Sequence, residues 1–164
     1  LIEECNEIRT LNNYRTEIVA DGGFKKYSDI IKGLALGADY IMLGSVLNKC
    51  LESAGETTKE DGTIINQFSP ETKNMFHVEI PMYKTFRGMS TKEVQKDWGK
   101  EDLTTSEGVI RRNKVEYTLS SWVKNFEYYL RSAMSYTGKK ELHRFIGGVN
   151  FNMITQNSFR RFDK

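Results

Sequence analysis

The chain has 164 residues, with 24 Lys or Arg against 22 Asp or Glu, a formal net charge of +2, and 38% hydrophobic residues. This length can bury a real core, while the near-balance of charge leaves no footprint for DNA, RNA or an anionic membrane. No apolar run approaches the roughly 18 residues of a membrane span and no signal peptide is visible, so the expected setting is the reducing cytoplasm.

The pattern opens on a helix over residues 1–12, with Leu1, Cys5, Ile8 and Leu11 on its apolar face and Glu3, Glu4, Asn6 and Glu7 mostly outside. Leu1 is not a Met start and falls inside this pattern, which fits a chain cut from something longer. Glu17 to Ala20 reads as a short apolar strand. Ser28-Asp29 can cap a helix carrying Ile30, Ile31, Leu34 and Ala35, which Gly37 stops. Tyr40 to Leu43 is the next strand. The connections are too short for another element, so strand, helix and strand predict a parallel βαβ unit.

Residues 55–82 are more polar. Asp61-Gly62 and Ser69-Pro70 alternate with β-prone Thr63-Ile64-Ile65 and Phe76-His77-Val78-Glu79-Ile80. They predict a hairpin with a long tip, an insertion over 55–87. Residues 88–108 read as a mobile flap with a short helix around Lys92 to Trp98. Arg111-Arg112 with Lys114, and Arg160-Arg161, read as solvated loop or tail charges. The strongest helix runs from Leu119 to Tyr136. Leu119, Trp122, Val123, Phe126, Leu130, Ala133 and Met134 share its stripe, and Gly138 stops it. A short helix near Lys140 to Ile146, a short strand Phe151 to Thr155 and a loose polar tail over 156–164 complete the reading. Cys5 and Cys50 lack metal spacing and read as buried or bystander thiols. His77 and His143 are isolated, also without ligand spacing.

Three clusters can carry chemistry. Asp21-Gly22-Gly23 ends the first strand. A carboxylate there can accept both hydroxyls of a ribose, and the glycines admit close backbone approach; an Asp-Gly turn needs no ligand, however. Gly44-Ser45 ends the next strand, and two consecutive strand ends of this kind suit a phosphate site at the mouth of a (β/α)₈ barrel. In the second cluster, Gly88 permits backbone contact, Met89 offers a soft edge to a flat base and Ser90 can donate; a turn with a packed Met is the other reading. In the third, Ser106-Glu107-Gly108, a loop Glu can meet a purine's amide edge or act as acid or base, or simply be exposed. Arg131 and Tyr136 flank the stripe of the long helix.

In order along the chain, these segments resemble the IMP dehydrogenase/GMP reductase family. The resemblance is carried by Ala20-Asp21-Gly22-Gly23, residues 37–45, Ala54-Gly55-Glu56, Arg87-Gly88-Met89-Ser90, Ser106-Glu107-Gly108 and Leu130-Arg131-Ser132 with Tyr136-Thr137-Gly138. It implies the C-terminal portion of a (β/α)₈ barrel, its last two strands and helices with an inserted hairpin and flap, forming one domain over 1–164. A complete barrel takes about 250 residues.

The resemblance further implies that Asp21 binds ribose and that Gly22, Gly23, Gly44 and Ser45 line the phosphate. Gly88, Met89, Ser90, Ser106, Glu107 and Gly108 would meet the base, with Glu107 assisting ammonia departure. Ser132 and Tyr136 match positions that in GMP reductases meet the dinucleotide of a neighbouring subunit. The implied partners are GMP or IMP and a homotetramer.

The stretch between Met89 and Glu107 is short and holds neither Arg nor Tyr, whereas dehydrogenases carry a water-activating Arg-Tyr pair there. That points to a GMP reductase using NADPH, with an IMP dehydrogenase using NAD, or a non-catalytic nucleotide-binding fragment, as alternatives. Gly44-Ser45, Arg87-Gly88-Met89 and Thr104 lean the other way. The family's nucleophilic cysteine belongs upstream of residue 1, and neither Cys5 nor Cys50 matches it. The isolated chain is therefore expected to be inactive.

Overall fold

The structure, a computed structural model, describes residues 1–102 and 108–162. In chain order it forms α1 (Ile2–Leu11), β1 (Val19–Asp21), α2 (Tyr27–Ala35), β2 (Tyr40–Met42), α3 (Ser45–Asn48), β3 (Thr57–Lys59) and β4 (Ile64–Ile65). These are followed by α4 (Pro70–His77), β5 (Met82–Arg87), α5 (Lys92–Asp97), β6 (Ile110–Lys114), α6 (Leu119–Tyr136), α7 (Leu142–Phe145) and α8 (Gln156–Phe162). The class is mixed α/β. No closed barrel forms among the described residues: β1 and β2 make one two-stranded sheet, and the other four strands make a second. The chain divides into two compact units. One holds Leu1–Asp21, Ser28–Ile41 and the chain from Leu130 on; the other holds Gly22–Tyr27 and Met42–Tyr129.

In the first unit the strand, helix and strand stand where the pattern predicts them. The helix between the paired strands buries Ile30, Gly33, Leu34 and Ala35. Gly37 stops it at φ +110. Its N–H donates to the Leu34 carbonyl (2.9 Å) and the Ala38 N–H to that of Gly33 (3.1 Å), the paired closure of a Schellman motif. Gly138 stops α6 in the same way, with its own N–H on Ser135 (3.1 Å) and that of Lys139 on Met134 (2.8 Å).

The first helix reverses its expected face. Leu1 (90% exposed), Leu11 (81%) and Ile8 (55%) point outward, and Cys5 is exposed rather than buried. The face turned inward carries Asn6 and Arg9. The Arg9 guanidinium pairs with the Asp39 carboxylate, donates to the Gly37 carbonyl at 3.3 Å and meets Asn6 Oδ1 at 2.7 Å. A second polar contact on Asp39, from the Ile18 N–H at 2.7 Å, ties the start of β1 to the same carboxylate. These contacts fix the inner face of α1, and among the described residues nothing covers the face that carries Leu1, Ile8 and Leu11. Near the C-terminus, residues 151–155 form no strand, and the expected loose tail contains α8. Thr155 starts that helix by accepting the Ser158 N–H on its hydroxyl at 3.3 Å.

The second unit is built on an antiparallel sheet ordered β4-β3-β5-β6. Asp61-Gly62 makes the predicted turn: Gly62 sits at φ +89, and the Thr63 N–H donates to Asp61 Oδ1 at 2.9 Å. The returning half of the hairpin is misplaced in the sequence reading. Phe76–Ile80 is the end of α4 and the turn beyond it, because Ser69 and Pro70 start a helix. Ser69 Oγ accepts the Thr72 N–H at 3.2 Å with Pro70 in the first turn. The strand that pairs with β3 is β5, with Thr57 opposite Lys84. Met75 and Phe76 then pack on a core of Leu51, Met82 and Val115.

Arg111-Arg112 and Lys114, expected as loop charges, lie in β6 and pair along β5 from Tyr83↔Lys114 to Arg87↔Ile110. Arg112 stacks over the Tyr83 ring at 4.1 Å and donates to the Lys59 carbonyl at 2.5 Å. These contacts let a cationic segment join a sheet. The expected flap helix is present as α5. Within the same unit, Trp122 is the buried anchor of α6, and Tyr27 packs on Trp122, Phe126 and Tyr129 at ring separations of 5.4, 6.4 and 5.2 Å. Among the described residues no helix is long and apolar enough to cross a membrane.

Candidate functional site

Asp21 ends β1 with its side chain exposed. Gly22 and Gly23 follow at φ +94 and +83, and a Cβ built on either would meet nothing within 4 Å. Their glycine requirement is conformational, since the space beside them is empty. Gly44 precedes α3 and faces the Phe86 ring, 3.9 Å from where a Cβ would stand. Ser45 is half-buried beside it. The second unit thus places Gly44-Ser45 next to the end of β5, from which Arg87-Gly88-Met89-Ser90 continues.

Gly108, the one described residue of the third cluster, meets the second cluster there. The Gly88 N–H donates to the Val109 carbonyl at 3.1 Å, and the Gly88 carbonyl accepts the Thr91 N–H at 3.0 Å. A Cβ on Gly88 would lie 3.0 Å from Gly108 Cα. One on Gly108 would lie 2.7 Å from Thr91 Cγ2 and 3.2 Å from Ser90 Oγ. Two glycines far apart in sequence therefore let two backbones touch, bringing Gly88, Ser90 and Gly108 together with Met89 66% exposed beside them. Gln95 Nε2 donates to the Ser90 carbonyl at 3.0 Å, and Arg87 pairs with Asp97 at 2.6 Å, so α5 is fastened to the end of β5. Thr91, 2% exposed, has no hydrogen-bond partner for its hydroxyl among the described residues. Ser106 and Glu107 lie outside the described residues.

Ser132 and Tyr136 belong to the first unit, on α6. Ser132 is half-buried and Tyr136 is 90% exposed. Of the two thiols, Cys50 is 2% exposed, and burial pushes it up from 9.0 to about 11, far from a reactive thiolate.

Two features of the second unit escaped the sequence reading. Lys84 is fully buried, donating to the Ser53 carbonyl and to Gln67 Oε1, both at 2.6 Å. Burial lowers its pKa to about 8. It sits on the inward side of β5, between Tyr83 and Thr85, where alternation predicts an apolar residue; its hydrogen-bond partners come from segments not contiguous with it. The other feature is a cavity of about 430 Å³ lined by Ser45 with Lys25, Lys49, Arg111 and Asn113, among others. Its cations come from three separate segments, so no local basic run announces it.

A family model described as the IMP dehydrogenase / GMP reductase domain matches residues 2–162. The chain is 26% identical over 157 residues to GMP reductase 2 of Mus musculus, covering 94% of this chain and 39% of that protein. It is 27% identical over 161 residues to GMP reductase 2 of Homo sapiens, with the same coverage of both. With inosine-5'-monophosphate dehydrogenase of Aquifex aeolicus the identity is 29% over 155 residues, covering 90% of this chain and 28% of that protein. The chain thus spans between 28% and 39% of the length of these relatives. With nearly its whole length matched and the glycine clusters placed as described, the chain belongs to the IMP dehydrogenase / GMP reductase family.

Proposed function

We propose that this chain is the C-terminal, nucleotide-binding part of a GMP reductase, which converts GMP to IMP with NADPH. In this reading it supplies the last two strands and helices of a (β/α)₈ barrel, with the antiparallel sheet and flap as insertions, in a cytoplasmic homotetramer. Asp21 accepts the ribose hydroxyls. Gly22, Gly23, Gly44 and Ser45 receive the phosphate on backbone N–H groups and a hydroxyl. Gly88, Met89, Ser90, Ser106 and Gly108 border the base, and Glu107 helps the 2-amino group leave as ammonia. The observation that supports a shared base site is the Gly88–Gly108 contact, which joins Met89-Ser90 to the segment that follows Glu107.

The nicotinamide, when bound, supplies the hydride that replaces the amino group. An outward-facing Tyr136 hydroxyl suits a dinucleotide shared with a neighbouring subunit, and Ser132 lies one helical turn away on α6. Neither Cys5 nor Cys50 acts as nucleophile in this reading; that group belongs to another part of the complete enzyme. The reductase branch is supported by the stretch between Met89 and Glu107, which has no Arg or Tyr to activate water. IMP dehydrogenase with NAD is the second reading, supported by the dehydrogenase-like Gly44-Ser45 and Arg87-Gly88-Met89 segments.

The complete enzyme separates the two branches. Mixing it with GMP and NADPH should consume NADPH and release ammonia, while IMP and NAD give no turnover. NAD reduction with IMP, and none with GMP, would reverse the choice. For the chain itself, GMP should bind, and Asp21→Ala should weaken that binding about tenfold through loss of charge-assisted hydrogen bonds.

A further inference from the structure

The cavity beside Ser45 lies wholly within the second unit. Lys25 and Lys26 enter it just after the Gly22-Gly23 turn, Lys49 from the end of α3, and Arg111 from β6. Asn113 stands two residues beyond Arg111 on the same face of that strand, whereas Arg112 between them covers Tyr83 on the other. Glu116 is the one carboxylate in this lining and Lys49 holds it at 2.7 Å, while Lys26 has a partner of its own, which leaves Lys25 and Arg111. Among the described residues the Lys25 ammonium and the Arg111 guanidinium have no hydrogen bond or ion pair. Tyr27, Tyr117 and Trp122 complete the wall, with the Tyr117 hydroxyl donating to the carbonyl of Val46, another lining residue, at 2.8 Å.

Like charges gathered around a hollow repel one another unless an anion joins them. A volume near 430 Å³ falls in the range of small-molecule sites. We infer that this cavity binds a phosphorylated small molecule, with Lys25 and Arg111 on the phosphoryl oxygens and Tyr27 and Trp122 beside the remainder. Such a site is separate from the glycine loops: Gly22, Gly23, Gly44 and Gly88 do not line it, and Ser45 is the one residue common to both. Its occupant would bear on the purine site through Ser45, as an effector rather than a substrate. Binding in the cavity stands apart from the GMP reductase reading, whereas the effect on the purine site rests on the proposed role of Ser45 there.

Trp122 reports on the cavity directly. The chain has two tryptophans, so Trp98→Phe in the full chain leaves Trp122 as the only indole. Titration with inorganic pyrophosphate should change its emission saturably, and less steeply as chloride is raised. Adding Lys25→Gln and Arg111→Gln should weaken the apparent affinity at least about tenfold with the circular dichroism spectrum unchanged. The single Lys25→Gln, at an exposed position, should weaken it in the same direction if the pair disturbs β6. Asp21→Ala should leave pyrophosphate binding intact while weakening GMP. Absence of a saturable change, or equal affinity in the lysine variant, would overturn the site. Stoichiometric displacement of pyrophosphate by GMP would show instead that the cavity holds the phosphate of the purine nucleotide, and would overturn its separateness.

Discussion

Two pairs of glycines in the candidate site serve opposite ends. Gly22 and Gly23 sit at positive φ with open space where a Cβ would point, whereas a Cβ on Gly88 or Gly108 would run into the neighbouring strand of chain. The first pair is glycine for its left-handed backbone, and it leaves open space that a ligand would fill in the proposed nucleotide site. The second is glycine because the protein itself already fills that space. A sequence motif cannot distinguish these cases, yet they predict different losses: ligand affinity at one, folded stability at the other.

The largest expected effect tests the packed pair. Gly108→Ala forces a Cβ to 2.7 Å from Thr91 Cγ2 and 3.0 Å from its backbone nitrogen, and should cost about 2 kcal/mol of stability, measured by urea unfolding. A cost near zero would show that this contact opens freely. Next, Gly23→Ala places an alanine at φ +83 with no clash, for a cost of about 1 kcal/mol. It should weaken GMP binding by about tenfold, more than the stability loss alone explains. If melting falls while GMP titration is unchanged, the open pair is structural too and the comparison breaks.

A pH effect of similar size locates stability in the sheet rather than in either pair. Lys84 has a folded pKa near 8 against its ordinary 10.5, so between these values the unfolded chain holds more protons and stability rises with pH. The Cys50 thiol is raised from 9.0 to about 11, so the unfolded chain loses its proton first and stability falls across that window. Tyr117, raised by burial as well, adds to the fall at higher pH. Stability should therefore rise by somewhat under about 1 kcal/mol from pH 8 to a maximum between about pH 9 and 10. Lys84→Met should remove the rise, and Cys50→Ala should shift the maximum upward. The smallest effect belongs to Tyr136, 90% exposed. Tyr136→Phe should move stability by less than about 0.5 kcal/mol while weakening NADPH binding in the complete enzyme.

The parts legible in the sequence are those set by local rules. Gly37 and Gly138 end their helices because the chain must turn into left-handed φ at those residues, and the 119–136 stripe carries its own period. The parts that were not legible depend on partners distant in sequence. Arg112 looks like a loop charge until Tyr83 and the Lys59 carbonyl are placed beside it. Phe76–Ile80 has strand-like composition, but the Ser69 cap had already committed that segment to a helix. On α1 the period is right and the face is wrong: the inward side carries Asn6 and the Arg9–Asp39 pair, whose partner lies thirty residues away. In the site, the contact of Gly88 with Gly108 could not be read from either motif alone.

The Asn6 side chain on the inner face of α1 stands where a Cβ on either Gly37 or Gly147 would have to go. One amide thus occupies the room of two missing side chains, and three positions widely spaced in sequence share a single allotment of space. Alanine at Gly147 should be poorly tolerated alone and better tolerated with Asn6→Ala, although its φ of +64 keeps part of the cost. Over evolutionary time such a shared volume makes residues 6, 37 and 147 a heritable unit: a drift at one is admissible only as fast as the others make room.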